Sequence, residues 1–138
     1  MEFWQLPVYN KCRQLAIQIV RSTQKTPKDI RHDYVRDLNI MVMTIMEKIA
    51  FANHADELRV EFIDEALKIL KTVKLRVRIL KDLNYIKPKG FSAITAKEEN
   101  VVKQLQGWKN KTIENRNKEQ QNKYSYTHKI TGFPTIVR

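Results

Sequence analysis

This sequence predicts an all-α fold, an antiparallel up-down-up-down four-helix bundle with a basic C-terminal tail, and three observations carry that expectation. Apolar residues recur at spacings of three and four through most of the chain, the periodicity of one face of an α-helix. Three glycines and four prolines are few for 138 residues, and they fall where they cut the chain into four such segments. No segment alternates with the period of two of a half-buried strand, apart from the last few residues, Thr135-Ile136-Val137. With 42% hydrophobic residues the chain holds enough apolar material for one core without metal or disulfide support.

The first segment repeats Tyr9, Cys12, Ala16 and Ile19, widened by Val8, Leu15 and Val20, and predicts a helix from about Gln5 to Thr23. Trp4 and Phe3 form a hydrophobic cover for it. Thr26-Pro27 ends the segment. The second places Val35, Leu38, Val42, Ile45, Ile49 and Ala52 on one seam, thickened by Met41 and Met46, and stops near Asn53-His54. A tight turn follows, with Asp56 as N-cap of the third helix and Glu57 in its first turn. The third segment repeats the pattern at Ile63, Ala66, Leu70, Val73, Val77 and Leu80 and runs to Asp82 or Leu83, roughly 40 Å at 1.5 Å per residue. Lys87-Pro88-Lys89-Gly90 interrupts it. The fourth helix is expected to open at Thr95-Ala96-Lys97-Glu98, which spells a capping box, and to bury Val101, Val102, Leu105 and Trp108.

The bundle therefore occupies residues 1–110, and residues 111–138 form the basic tail. Asn115 to Lys123 contains no apolar residue to bury, and a fraying helix end or disorder is expected there. Tyr124, Tyr126, Ile130, Phe133, Ile136 and Val137 follow, more large apolar groups than a solvated tail usually carries, so this end is expected to dock on a partner.

The net charge of +11 is unevenly distributed. Residues 68–89 carry eight Lys/Arg against one Asp, residues 109–138 carry seven against two Glu, and the remainder is close to neutral. A surplus held in two short stretches points to a polyanion met by a defined surface, with nucleic acid the first candidate. On the third helix Lys71, Lys74, Arg78 and Lys81 follow one another at spacings of three, four and three, so they line one strip beside the apolar seam, which Lys68 extends. A solvated face would usually interleave acids at i,i+4, yet Asp82 is the one acid between Glu65 and the loop. Lys87 and Lys89 in that loop could reach further phosphates. The candidate nucleic-acid-binding set is thus Lys68, Lys71, Lys74, Arg78, Lys81, Lys87 and Lys89. Trp108 either anchors the core or stacks on a base, as single-strand binders do. Tyr124 and Tyr126 are open to either role.

Catalysis has little to stand on. His32, His54 and His128 lie at loop or tail positions without metal-ligand spacing, and Glu61, Asp64 and Glu65 sit where acids complement the dipole of a helix start. There is no P-loop, nucleophile elbow or Gly-rich phosphate cradle, so neither an enzyme nor a cofactor or metal is expected. The lone cysteine, Cys12, falls on the apolar side of the first helix and suits a reduced, cytoplasmic compartment. No apolar stretch approaches the roughly 18–20 residues of a membrane span.

Several short motifs carry a family resemblance. Leu6-Pro7-Val8-Tyr9, the Thr26-Pro27 break, the long seam of the second helix, and Leu83-Asn84-Tyr85-Ile86 leading through Phe91 to Val101-Val102-Lys103-Gln104-Leu105-Gln106-Gly107-Trp108 resemble the accessory variability determinant proteins of diversity-generating retroelements. They are similar, more distantly, to the four-helix-bundle proteins encoded within ribosomal RNA intervening sequences. The resemblance covers about residues 5–110. It implies a basic, barrel-like homopentamer that binds the retroelement reverse transcriptase and its template RNA and supports mutagenic complementary-DNA synthesis without catalytic residues of its own. Asn53-His54-Ala55 departs from the Asn-x-x-Glu-Gly pattern associated with the ribosomal-insert branch. Ile69, Leu75, Ile79 and Leu83 lie off the main seam of the third helix, which leaves two readings: a wide core-facing side or a subunit interface. A protein-only scaffold docking an acidic partner is the alternative from a different class.

Overall fold

The structure, a computed structural model, describes the backbone of residues 1–131 and the side chains of residues 1–124. It is all-helical over that span, with four principal helices. The first is Pro7–Ser22, preceded by a 3-10 turn at Phe3–Gln5. The second is Arg36–His54, which continues without a break from Lys28–Ile30 and a π-helical stretch at Arg31–Val35. The third is Arg59–Asp82 and the fourth is Pro88–Thr131, 44 residues and about 66 Å long. Each helix packs on the next, and the fourth also packs on the first, so the four surround one core.

That core is the predicted seam. All six apolar positions of the second-helix repeat and all six of the third are buried, with Val8, Cys12, Leu15 and Ile19 from the first helix and Ile94, Val101 and Leu105 from the fourth. Each large aliphatic side chain taken fully from water there contributes about 1.5–3 kcal/mol before entropy is counted. Cys12 has no exposed surface, and burial pushes its thiol up to about 12, which leaves it an inert hydrophobe. Val20 departs from the predicted stripe: it is exposed, because Val8, Leu15 and Ile19 with Cys12 already close the first helix against its neighbours.

The connections show how the breaks work. Thr23 Oγ1 donates to the Ile19 carbonyl at 2.7 Å and Thr26 Oγ1 donates to the Thr23 carbonyl, so two buried hydroxyls finish the first helix before Pro27. Asp56 does not cap the third helix. It opens a 3-10 turn, Asp56–Leu58, and its carboxylate pairs with Arg59 at 2.6 Å. The ends of the second helix and of this turn are held by two arginines instead. Arg59 donates to the carbonyls of Ala52 and Asn53, and Arg116 donates to those of Asp56 and Glu57. Carbonyls at a helix end have no intrahelical donor, and guanidinium forks supply one.

Leu83-Asn84-Tyr85-Ile86 is a Schellman turn. Tyr85 N–H reaches the Leu80 carbonyl, Asn84 N–H reaches that of Lys81, and Asn84 takes the left-handed conformation with φ 63°. Ile86 is then buried, pinning the turn to the core.

The fourth helix starts seven residues before the expected capping box. Pro88 occupies the first helical position, where its missing N–H costs nothing, so Thr95 and Glu98 lie two turns and more inside the helix rather than at its start. Glu98 is only 2% exposed. Nor does the helix fray after residue 110: it runs unbroken to Thr131, Thr112 is buried, and Arg116 still holds the Asp56 turn. His32 and His54 lie in helical segments rather than loops. The side chains of Tyr126, His128 and Ile130, together with Phe133 and Thr135-Ile136-Val137, lie outside the described residues.

Candidate nucleic-acid interface

The basic strip lies along the groove between the third and fourth helices. Residues 63, 66, 70, 73, 77 and 80 turn one face of the third helix into the core, and Lys71, Lys74 and Lys81 flank it on the side of the fourth helix, the first two beside Val102 and the third on Phe91. Lys68, Lys71, Lys74 and Arg78 are exposed. Lys68, Lys71 and Lys74 line a cavity of about 350 Å³ with Leu67, Val102, Gln106 and Lys109. Lys74 also lines an adjoining cavity of about 520 Å³ with Asn100, Lys103 and Gln106. The groove has an apolar floor and a cationic rim, a shape that lets ammonium groups reach a polyanion while their stems stay packed.

Among the described residues the acids that line it are Asp64 and Glu99. Asp64 pairs with Lys109 at 2.7 Å across the groove, and Glu65 pairs with Lys48 of the second helix at 2.9 Å. These two carboxylates therefore bind neighbouring helices together rather than merely serving the dipole of their own. Glu99 remains on the groove wall. Arg76 belongs to another face: its guanidinium lies 5.6 Å from the Tyr34 ring centroid and 4.0 Å from Asp37, while Tyr34 donates to the Arg76 carbonyl. Burial raises the Tyr34 phenol, partly offset by Arg76.

The predicted seven do not form one surface. Lys81 is half-buried, its ammonium 5.1 Å from the Phe91 ring centroid, a cation–π contact that ties the third helix to the start of the fourth. Arg78 is exposed and lines neither groove cavity. Lys87 and Lys89 sit apart, in a cleft of about 510 Å³ at one end of the bundle, shared with Arg21 and Lys25 of the first helix and its following turn. Sequence reasoning missed Arg21, Lys25, Lys103 and Lys109. They are isolated along the chain, and only the packing of the first and fourth helices brings them beside the strip and the loop.

Trp108 is half-buried against the core, with the Arg59 guanidinium 5.6 Å from its ring centroid. That is an anchoring role, and it leaves no open ring face on the Arg59 side for a base. Phe3 meets Trp4 and Tyr9 edge-on, covering the first helix as expected, although Trp4 itself is 54% exposed.

Among the described residues Glu98 is the one buried charge-bearing group on the core face of the fourth helix. Burial pushes its carboxyl up to about 7, opposed by the Lys74 ammonium and reinforced by Glu99. Its Oε2 has no hydrogen-bond partner among the described residues.

Among the described residues no helix is long and apolar enough to cross a membrane. Compared with known proteins, the chain matches no protein-family model and no curated protein.

Proposed function

We propose that this protein is a non-catalytic accessory subunit that binds template RNA and a reverse transcriptase in a diversity-generating retroelement. The observation that supports it most directly is the groove between the third and fourth helices, where among the described residues Lys68, Lys71, Lys74, Lys103 and Lys109 face two acids, Asp64 and Glu99. Of those acids Asp64 is already paired with Lys109. Lysines on flexible stems suit phosphates as point charges and read little base sequence, so binding is governed by charge and strand geometry.

In this reading the helices run up-down-up-down, in keeping with short connections and the packing of the fourth helix on the first. The bundle assembles as a homo-oligomer, a pentamer by the resemblance, and repeats the basic groove around a ring. Leu75, Ile79 and Leu83, spaced by four on the outer side of the third helix and 61%, 40% and 53% exposed, support a subunit contact there. Ile69 is instead packed against the core, so the off-seam residues divide between the two readings. The same exposed apolar residues favour the second reading, an oligomeric scaffold whose basic groove docks an acidic protein.

Co-purification of the tagged protein from its native host separates the two. Recovery of a reverse transcriptase together with a structured noncoding RNA supports the retroelement reading. A protein partner without enriched RNA overturns it in favour of the scaffold.

A further inference from the structure

The cleft at the bundle end gathers charge from parts of the chain that no single stretch of sequence unites. Arg21 and Lys25 come from the end of the first helix and its following turn, and Lys87 and Lys89 from the loop and first turn of the fourth. All four are exposed, none makes an ion pair among the described residues, and no Asp or Glu lines the cleft. Four exposed cations around one concavity, with no carboxylate in its lining, give it a positive potential that favours an anion.

The two helices that wall the cleft pack closely at its base. Gly90 has no side chain, and a Cβ placed there would lie 3.0 Å from Ser22 Oγ, so the two helices approach here as closely as a glycine permits. Ser22 Oγ accepts from Gln18 Nε2 at 2.9 Å, which leaves its own hydroxyl hydrogen free to donate. The half-buried Tyr85 lines the cleft from a turn pinned by Ile86. At about 510 Å³ the concavity is of a size that takes one nucleotide.

We propose that this cleft is a second nucleic-acid contact, separate from the helical groove, in which Arg21, Lys25, Lys87 and Lys89 seat a phosphate group of a single-stranded RNA. The inference rests on the nucleic-acid reading and adds to it a defined phosphate seat containing one residue of the first helix, Arg21, and one of the turn that follows it, Lys25. The phosphate is either internal to the strand or its 5′ terminus, and the same experiment distinguishes these sources.

The test is fluorescence anisotropy of the full-length protein with a ten-nucleotide single-stranded RNA carrying either a 5′-phosphate or a 5′-hydroxyl. Three variants are compared with the parent protein: the cleft pair Arg21→Ala/Lys25→Ala, the charge-matched pair Lys11→Ala/Arg13→Ala from the first helix outside the cleft, and the groove set Lys68→Glu/Lys71→Glu/Lys103→Glu. The cleft residues are exposed and unpaired, so circular dichroism should report an unchanged fold. At least tenfold weaker binding by the cleft pair, against less than threefold for the matched pair, supports the proposal. A loss confined to the 5′-phosphorylated strand assigns the terminus, and an equal loss on both strands assigns an internal phosphate. A cleft pair that binds like the parent, or that loses no more than the matched pair, overturns the cleft while a weakened groove set leaves the nucleic-acid reading standing. Absence of binding by the parent protein overturns both.

Discussion

Replacing Glu98 by Gln should stabilise this protein above neutral pH, contrary to the usual outcome of altering a buried polar residue. In the unfolded chain the carboxyl ordinarily loses its proton near 4.5, whereas in the fold burial holds it to about 7. Between those values the folded state binds more protons than the unfolded one, so stability falls as pH rises through that window. The penalty is absent below about pH 4.5 and complete above about pH 7, and at 1.36 kcal/mol per unit it reaches roughly 3 kcal/mol. Glutamine keeps the shape and cannot ionise. Glu98→Gln is therefore expected to match the parent within about 1 kcal/mol at pH 4.5 and to exceed it by about 3 kcal/mol at pH 8. Urea denaturation at pH 4.5, 6, 7 and 8 measures this, with a midpoint displacement on the order of 1–2 M at pH 8 for a domain of this size. Equal midpoints at pH 8, or a less stable glutamine variant, would refute the reasoning. Either would mean that the ionised carboxylate is satisfied in the fold, with Lys74 or water compensating it fully.

Four other predictions test separate links in the chain from residue to function. Lys68→Glu/Lys71→Glu/Lys103→Glu, which spares Lys74 beside Glu98 and Lys81 on Phe91, should weaken RNA binding and reduce the magnitude of its salt slope by about 0.7 for each single-strand phosphate that is no longer neutralised; an unchanged slope would remove the groove from the interface. Gly107→Ala, where an added Cβ meets nothing within 4 Å, should raise stability by about 0.5–1 kcal/mol, whereas Gly90→Ala should lower it by about 1 kcal/mol by pressing on Ser22; thermal unfolding of the pair checks the contrast. Arg59→Ala removes donors to two helix-end carbonyls and the cover over Trp108, and is expected to cost about 2–3 kcal/mol in urea unfolding, with a loss below 0.5 kcal/mol counting against the capping role. Leu75→Lys/Ile79→Lys changes exposed positions and should leave fold stability within about 0.5 kcal/mol while lowering the mass seen by sedimentation; an unchanged mass would exclude this face as a subunit contact.

The core was legible because helical periodicity is a local property. Every residue of the second- and third-helix seams could be named from spacing alone, and each is buried. Helix termini were less legible, since several local devices compete for them. Thr95 and Glu98 spell a capping box, but Pro88 offers an earlier start, and Ile94 and Glu98 turn toward the core once the helix begins there. Similarly, Asn115 to Lys123 has no apolar residue to suggest a helix. It is nonetheless helical because it continues a rod already nucleated and anchored at Thr112 and Arg116, where propagation adds a hydrogen bond for each residue fixed.

The candidate site divides along the same line. Lys68, Lys71, Lys74 and Arg78 share a helix side, so their juxtaposition follows from 3.6 residues per turn and was readable in the primary structure. The tertiary structure decided which of the predicted cations are engaged elsewhere, as Lys81 is by Phe91, and which distant ones join them, as Lys103 and Lys109 do in the groove and Arg21 and Lys25 do in the cleft. Sequence alone determined four amphipathic segments, the core faces of the second and third helices and a strip of cations on the third, because each depends on neighbours within two helical turns. The meeting of the first and fourth helices, and with it the bundle-end cleft, depends on residues more than sixty positions apart, whose approach is set by packing the whole core rather than by any local preference.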